Sequence, residues 1–356
     1  MIDAHNSAQK RGQMVSTLSI IAVMSLITAV LSATIPDHPA IAQDAAFDNE
    51  RFFLFEDVSD GMFCTATARA ARNACGNDVR DDHWTSVGNC TSLGDVVGSD
   101  CLEDAEMERL ESRQLCADQF DARLDLCDLL GEAPYDPMLD HPDYNFVDPL
   151  QIGRSVSPNP HFPLERGRRW VYEGGDETIT VTVTDETKLI GGVTCITVND
   201  RVEEDGVVIE DTDDWYAQDI EGNVWYCGEI AQNFEVPEGE DDPELVDVEG
   251  SRKAFRDFAR PGIIMLANPR VYDVYRQEFA LGDAEDAAEI LSIDASATVP
   301  GASCQGDCVL TRDFTPLEPD VDEQKYYAPG VGLILEVGPD GDRVDLVSVE
   351  FVRGRR

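Results

Sequence analysis

Six of the ten cysteines, Cys64, Cys75, Cys90, Cys101, Cys116 and Cys127, are spaced at intervals of 11, 15, 11, 15 and 11 residues. The spacing fits either three tandem repeats or a palindrome folded about its centre. The residues between the cysteines favour the palindrome. Cys64 to Cys75 encloses Thr-Ala-Thr-Ala-Arg-Ala-Ala-Arg-Asn-Ala and Cys116 to Cys127 encloses Ala-Asp-Gln-Phe-Asp-Ala-Arg-Leu-Asp-Leu, both of helical character, whereas Cys90 to Cys101 contains Gly94 and Gly98, which mark a turn. Three equal repeats would not place their turn in only one unit.

Helix geometry supports this reading. Eleven residues make about three turns and fifteen about four, so the cysteines of each arm fall on one side. Cys64, Ala68, Ala71, Cys75 and Val79 form an apolar stripe on the first arm, and Cys116, Phe120, Leu124 and Cys127 form one on the second. Two cysteines eleven apart on one helix are about 16 Å apart, too far for a disulfide. The expected bonds are therefore Cys64 with Cys127, Cys75 with Cys116 and Cys90 with Cys101, each contributing about 2 to 4 kcal/mol. A two-helix hairpin has little core of its own and needs such staples. Structural zinc sites and c-type haem attachment require closer cysteine spacings than these. As architecture, the ladder resembles the twin cysteine-motif hairpins of oxidising compartments, with longer intervals.

An oxidising destination agrees with the first residues of the chain. Lys10 and Arg11 precede an apolar run from Val15 to Ile35, followed by Ala40-Ile41-Ala42. That order describes a signal peptide over 1–42 cleaved after Ala42, and the run is also long enough to serve as a retained anchor. The expected location is secreted or periplasmic, with no membrane span after processing. The full chain carries 27 Lys+Arg against 71 Asp+Glu, a net charge of −44 over 356 residues. Such a surface repels a phosphate backbone and excludes nucleic acid as a partner.

Residues 43–57 read as an N-terminal linker, 58–132 as the hairpin, 133–160 as a Pro-rich linker and 161–353 as a β domain. Thr178-Ile-Thr-Val-Thr-Val-Thr184 alternates hydroxyl and branched apolar side chains, as a half-buried strand does. Similar runs separated by Gly- and Asp-containing turns predict ten to twelve strands in an antiparallel meander curled into a barrel or a pair of sheets. The fold class is α+β. Cys195, Cys227, Cys304 and Cys308 lie in this part and are expected to form two further disulfides; the pairing stays open among three connectivities.

The stretches Asn159-Pro-His-Phe-Pro-Leu-Glu-Arg-Gly-Arg-Arg-Trp-Val-Tyr172, Asp214-Trp-Tyr-Ala-Gln-Asp-Ile-Glu-Gly-Asn-Val-Trp-Tyr226, Pro261-Gly-Ile-Ile-Met265 and Tyr326-Tyr-Ala-Pro-Gly-Val-Gly332 resemble those of an uncharacterised group of secreted bacterial β-domain proteins. The resemblance implies an exported β domain and brings no assigned activity or catalytic residue with it.

The residues themselves suggest binding rather than catalysis. His83, His141 and His161 are the only histidines after the signal segment, and no H-E-x-x-H, G-x-S-x-G or phosphate-cradling loop occurs. The aromatics Trp170, Tyr172, Trp215, Trp225 and Tyr326 are candidate ligand-binding residues, since a barrel can enclose a glycan or a lipid chain. Among the acidic runs, Glu240, Asp241, Asp242 and Glu244 are candidate calcium ligands, while Glu210-Asp211-Thr-Asp213-Asp214 reads as a solvated face. No other cofactor is expected. The reading is an exported, non-enzymatic binding or scaffold protein whose partner is an envelope or extracellular protein. The second reading is a β-barrel carrier of an apolar ligand or glycan with the hairpin as an appendage.

Overall fold

The computed structural model describes residues 60–94, 98–141, 144–237, 239–240 and 242–352. The expected signal segment 1–42 and linker 43–57 lie outside them. Among the described residues no helix is long and apolar enough to cross a membrane.

Two helices, α1 (Phe63–Ser92) and α2 (Gly98–Leu130), form an antiparallel hairpin joined by three rungs. Cys64–Cys127, Cys75–Cys116 and Cys90–Cys101 are bonded, with Cα separations of 5.6, 5.8 and 5.8 Å. Ala68, Ala71 and Ala105 are buried between the arms, and their small side chains allow the close approach that a disulfide demands. The base of the hairpin is tied at both ends. The Thr65 backbone N–H and hydroxyl donate to the Glu132 carboxylate at 3.0 and 2.5 Å, capping the start of α1. Gly131, at φ +83°, ends α2 by donating its N–H to the Cys127 carbonyl at 2.8 Å.

Fifteen strands follow among the described residues. They are β1 (Arg168–Gly174), β2 (Glu177–Ile190), β3 (Val193–Glu204), β4 (Val207–Gln218), β5 (Val224–Ile230), β6 (Asn233–Glu235), β7 (Glu244–Asp247) and β8 (Arg260–Met265), then β9 (Val274–Arg276), β10 (Glu278–Phe279), β11 (Ala287–Val299), β12 (Ala302–Phe314), β13 (Asp322–Ala328), β14 (Gly332–Val337) and β15 (Arg343–Phe351). All pairings between them are antiparallel, in the order β10-β8-β5-β4-β3-β2-β1-β15-β14-β13-β12-β11-β9, with β6 and β7 as a side ribbon on β4. The two ends of that order, β9 and β10, are consecutive in the chain and separated only by Gln277. One crossing segment thus pairs with β11 on one side and β8 on the other, drawing the sheet into a nearly closed barrel. Gly262 makes this approach feasible: a Cβ there would lie 2.3 Å from the Gln277 carbonyl carbon.

The inner face follows the two-residue alternation of the strands. Ile179, Val183, Ile196, Val224, Ile290, Ile334 and Leu346 are buried there with Tyr216 and Tyr226. A smaller cluster covers the outer wall, where Leu139, Cys195, Trp215, Ala217, Trp225, Cys227 and Ala254 pack together. The Pro-rich linker lies as a strap on that wall. Tyr144 and Phe146 meet Trp225 edge-on at 5.1 and 6.2 Å, and the Tyr135 hydroxyl donates to the Pro261 carbonyl at 2.8 Å. Pro137, Leu139, Pro149 and Ile152 are buried and anchor it, while most of its other described residues stay exposed or half-buried.

The expectation that all ten cysteines are bonded needs correction. Cys304 and Cys308 do pair, stapling a bulge within β12. Cys195 and Cys227 remain buried thiols. They sit on β3 and β5, and β4 stands between those strands. Their thiols are nonetheless neighbours, the Cys227 thiol hydrogen-bonded to Cys195, and they stand unjoined.

Candidate functional site

The barrel interior holds an unusual density of buried charge, in two clusters. The first surrounds Arg252. Asp214 on β4 and Glu229 on β5 are direct cross-strand partners, and both are buried. Carboxylates placed opposite each other repel, and burial penalises their charged forms. Burial pushes the Asp214 carboxyl well above the usual range, with Glu229 and Asp200 adding to the effect. Burial raises Glu229 in the same way, against the pull of Arg252. The Tyr226 hydroxyl donates to Asp214 Oδ1 at 3.0 Å, and Arg252 Nη2 lies 3.0 Å from Glu229 Oε1. Arg252 also grips Glu278 through Nε and Nη2. Burial opposes its charge, but Glu278 and Glu229 outweigh that and hold the guanidinium charged. Asp286 lies beside Glu278, and burial followed by that neighbour raises it well above the ordinary range.

The second cluster surrounds Lys325, only 2% exposed. Its Nζ lies 3.1 Å from Glu323, 3.5 Å from Asp313 and 3.6 Å from Glu336. Burial disfavours the ammonium, yet Glu323, Glu336 and Asp313 together hold its pKa well above the ordinary lysine value. Glu336 is raised, burial outweighing Lys325. Gln277, at the barrel closure, donates from Nε2 to Asp313 Oδ2 at 2.9 Å. The closure residue is thereby bound to this cluster.

The same region receives the hairpin. Arg123 of α2 forms a buried two-pronged pair with Glu285, Nε to Oε2 at 2.9 Å and Nη2 to Oε1 at 2.7 Å. Gln119 donates to the Leu317 carbonyl at 2.8 Å. Beside the closure, Tyr226, Cys227, Arg252, Ala259, Glu278 and Phe279 border a recess of about 10 Å³, room for about one water. Chemically, the interior can hold protons on its carboxyls and fix the closure through ion pairs.

The residues predicted to bind ligand do not converge. Trp170 and Tyr172 are buried inside the barrel, where Trp170 Nε1 donates to the Val331 carbonyl at 2.8 Å and the Tyr172 hydroxyl to Leu333 at 3.1 Å. Trp215 and Trp225 are buried on the outer wall, with Lys188 Nζ 3.4 Å from the Trp215 ring centroid and Trp225 Nε1 bonded to Asp219 at 3.0 Å. Tyr326 is partly buried beside the apolar core. The shared reason is alternation: aromatics adjacent along a strand point to opposite faces. Of the candidate calcium ligands, Asp241 lies outside the described residues, and Glu240, Asp242 and Glu244 are exposed. Among the described residues no group of three or more His, Cys, Asp or Glu side chains could hold a metal ion.

Two motif segments turn out to be braces. Asp219 Oδ1 accepts the N–H groups of Glu221, Gly222 and Asn223 at 2.8 to 3.0 Å, forming the turn between β4 and β5. Asn159 Oδ1 accepts from His161 and Phe162, while its Nδ2 donates to the Gly222 and Leu266 carbonyls. Sequence reasoning missed the interior charges. Asp214 belongs to the acidic run taken as solvated, but the run lies in β4, which places Asp214 inside. A period-two reading carried back from Trp215-Tyr216 would have shown it.

No known protein family, curated protein or solved structure matches this chain.

Proposed function

We propose that the chain is an exported, non-enzymatic binding or scaffold protein in which the laddered hairpin presents a surface to a protein of the envelope or extracellular space. The observation that carries this reading is the asymmetry of the hairpin. Its basal half is locked to the barrel through Arg123 and Gln119. Its distal half stands clear of that docking and carries large apolar side chains in water, Trp84 at 65% exposed with Leu93, Leu102, Met107 and Leu110, while Leu115 and Leu129 are exposed nearer the base. Three disulfides hold these groups in place, which lowers the ordering cost of binding. The carrier reading gains no comparable support, because charged groups occupy the barrel interior where an apolar ligand would need a cavity.

The test is site-specific photo-crosslinking from position 84, with position 185 on the barrel as control, in native envelope and extracellular fractions. A discrete protein adduct from position 84, absent at 185 and lost with Met107→Asp and Leu110→Asp, is the expected result. Equal labelling from both positions, or co-purification of lipid or glycan without a protein adduct, would overturn it.

A further inference from the structure

The ribbon of β6 and β7 leaves the barrel wall and offers a free edge. β6 pairs with the barrel sheet at Asn233 and Glu210, and β7 pairs with β6 alone among the described strands. All four residues of β7 are exposed. Leu245 is 51% exposed, and Val246 and Val248 are 49% exposed. Phe234 stands opposite Leu245, so Phe234, Val236 and Leu245 share one face of the ribbon. An exposed apolar edge strand is a template for pairing with another chain, and folded proteins ordinarily place charge on such a strand or cover it.

Here the charge flanks the apolar residues and has one sign. From Asn233 to Gly250 there is no Lys or Arg against eight carboxylates, with Glu244, Asp247 and Glu249 in or beside β7. Asp247 is partly committed, accepting from Asn233 Nδ2 at 2.6 Å and from the Glu249 N–H at 2.9 Å. A second copy of this chain would bring the same carboxylates against these, with a net charge of −44 behind them, and like charges placed opposite each other destabilise a strand pair. Complementarity selects a strand of the other sign.

We propose that β7 is a strand-addition site for an extended cationic segment of another protein, one that alternates Lys or Arg with branched apolar residues. Main-chain hydrogen bonds to the free edge would supply the pairing. The apolar side chains would cover Leu245, Val246 and Val248, and the cations would meet the flanking carboxylates. The site lies apart from the hairpin and stands whether or not the hairpin binds a partner.

The experiment uses the whole chain with a labelled, end-blocked heptapeptide, Lys-Val-Lys-Ile-Lys-Val-Lys. A peptide of equal charge with proline for the central isoleucine and a Glu-for-Lys counterpart serve as comparisons, all followed by fluorescence anisotropy. Saturable binding of the first is expected, at least ten-fold weaker with the proline peptide, absent with the acidic one, and accompanied by slowed amide exchange over 244–248. Leu245→Lys with Val246→Lys is expected to reduce binding ten-fold or more. Equal binding of the proline peptide would reduce the effect to general electrostatic attraction and overturn the proposal. So would the absence of binding, binding unchanged in the variant, or self-association of the chain that the peptide fails to block.

Discussion

At the residue scale, the barrel's buried carboxyls link folding to pH. Asp214, Glu229, Asp286 and Glu336 are all raised by burial first, and by neighbouring carboxylates. The folded state therefore binds protons more tightly than the unfolded chain, whose carboxyls titrate near pH 4. The associated stability is whole below that range and is lost as pH rises through the raised values. Glu177, pushed to about 7 by burial and then by Glu204 and Glu210, adds to the trend between its ordinary value and neutrality. Lys325 acts elsewhere: its raised value keeps its contribution intact below pH 10 and lets it go only above. Asp214→Asn is thus expected to narrow the difference in stability between pH 5 and pH 9 by more than about 1 kcal/mol, measured by urea unfolding at each pH. An unchanged difference would mean that Asp214 is ionised in the fold.

At the element scale, the hairpin rungs are not equivalent. The base bond, Cys64–Cys127, closes a separation of 63 residues and the tip bond, Cys90–Cys101, one of 11. Loop-closure entropy assigns about 4 kcal/mol to the first and about 3 to the second. Replacing the base pair with serines is expected to speed amide exchange along both helices, and replacing the tip pair only near Ser92 and Cys101. Exchange that spreads equally from either site would contradict the ladder's graded role. The strands allow a second check. Cys195 and Cys227 lie in the outer-wall cluster, and burial, with the neighbouring Cys195, pushes the Cys227 thiol well above its usual value. A thiol reagent is expected to find none in the native chain and two after unfolding without reductant, whereas a fifth disulfide would leave none in either state.

For the whole molecule, closure of the barrel depends on one short segment. β9, Gln277 and β10 join the two edges of the sheet, and Gln277, Glu278, Glu285 and Asp286 bind that segment to the Lys325 cluster, to Arg252 and to the hairpin. Gly262→Ala would drive a methyl into the Gln277 backbone. The expected cost is about 1 to 3 kcal/mol, with faster exchange concentrated in β8, β9 and β10. A variant as stable as the parent, with those amides still protected, would show that the closure is more pliable than its geometry implies.

The hairpin was legible from the chain alone because helix pitch is a local property: a cysteine spacing of 11 and 15 residues fixes which side chains share a face before any tertiary contact forms. Alternation likewise marked most strands, since the pleat repeats every two residues whatever lies around it. Closure was not legible. β9 and β10 are too short to carry a period, and their partners lie at opposite ends of the strand order. Only the packed sheet settled which carboxylates turn inward, which cysteines are bonded and where the proline-rich segment lies. Each of those depends on register summed over many strands, and a single slip would send Asp214 to solvent and Asp213 inside. Local spacing thus dictated the elements, and non-local register assigned their charges to the interior or to water.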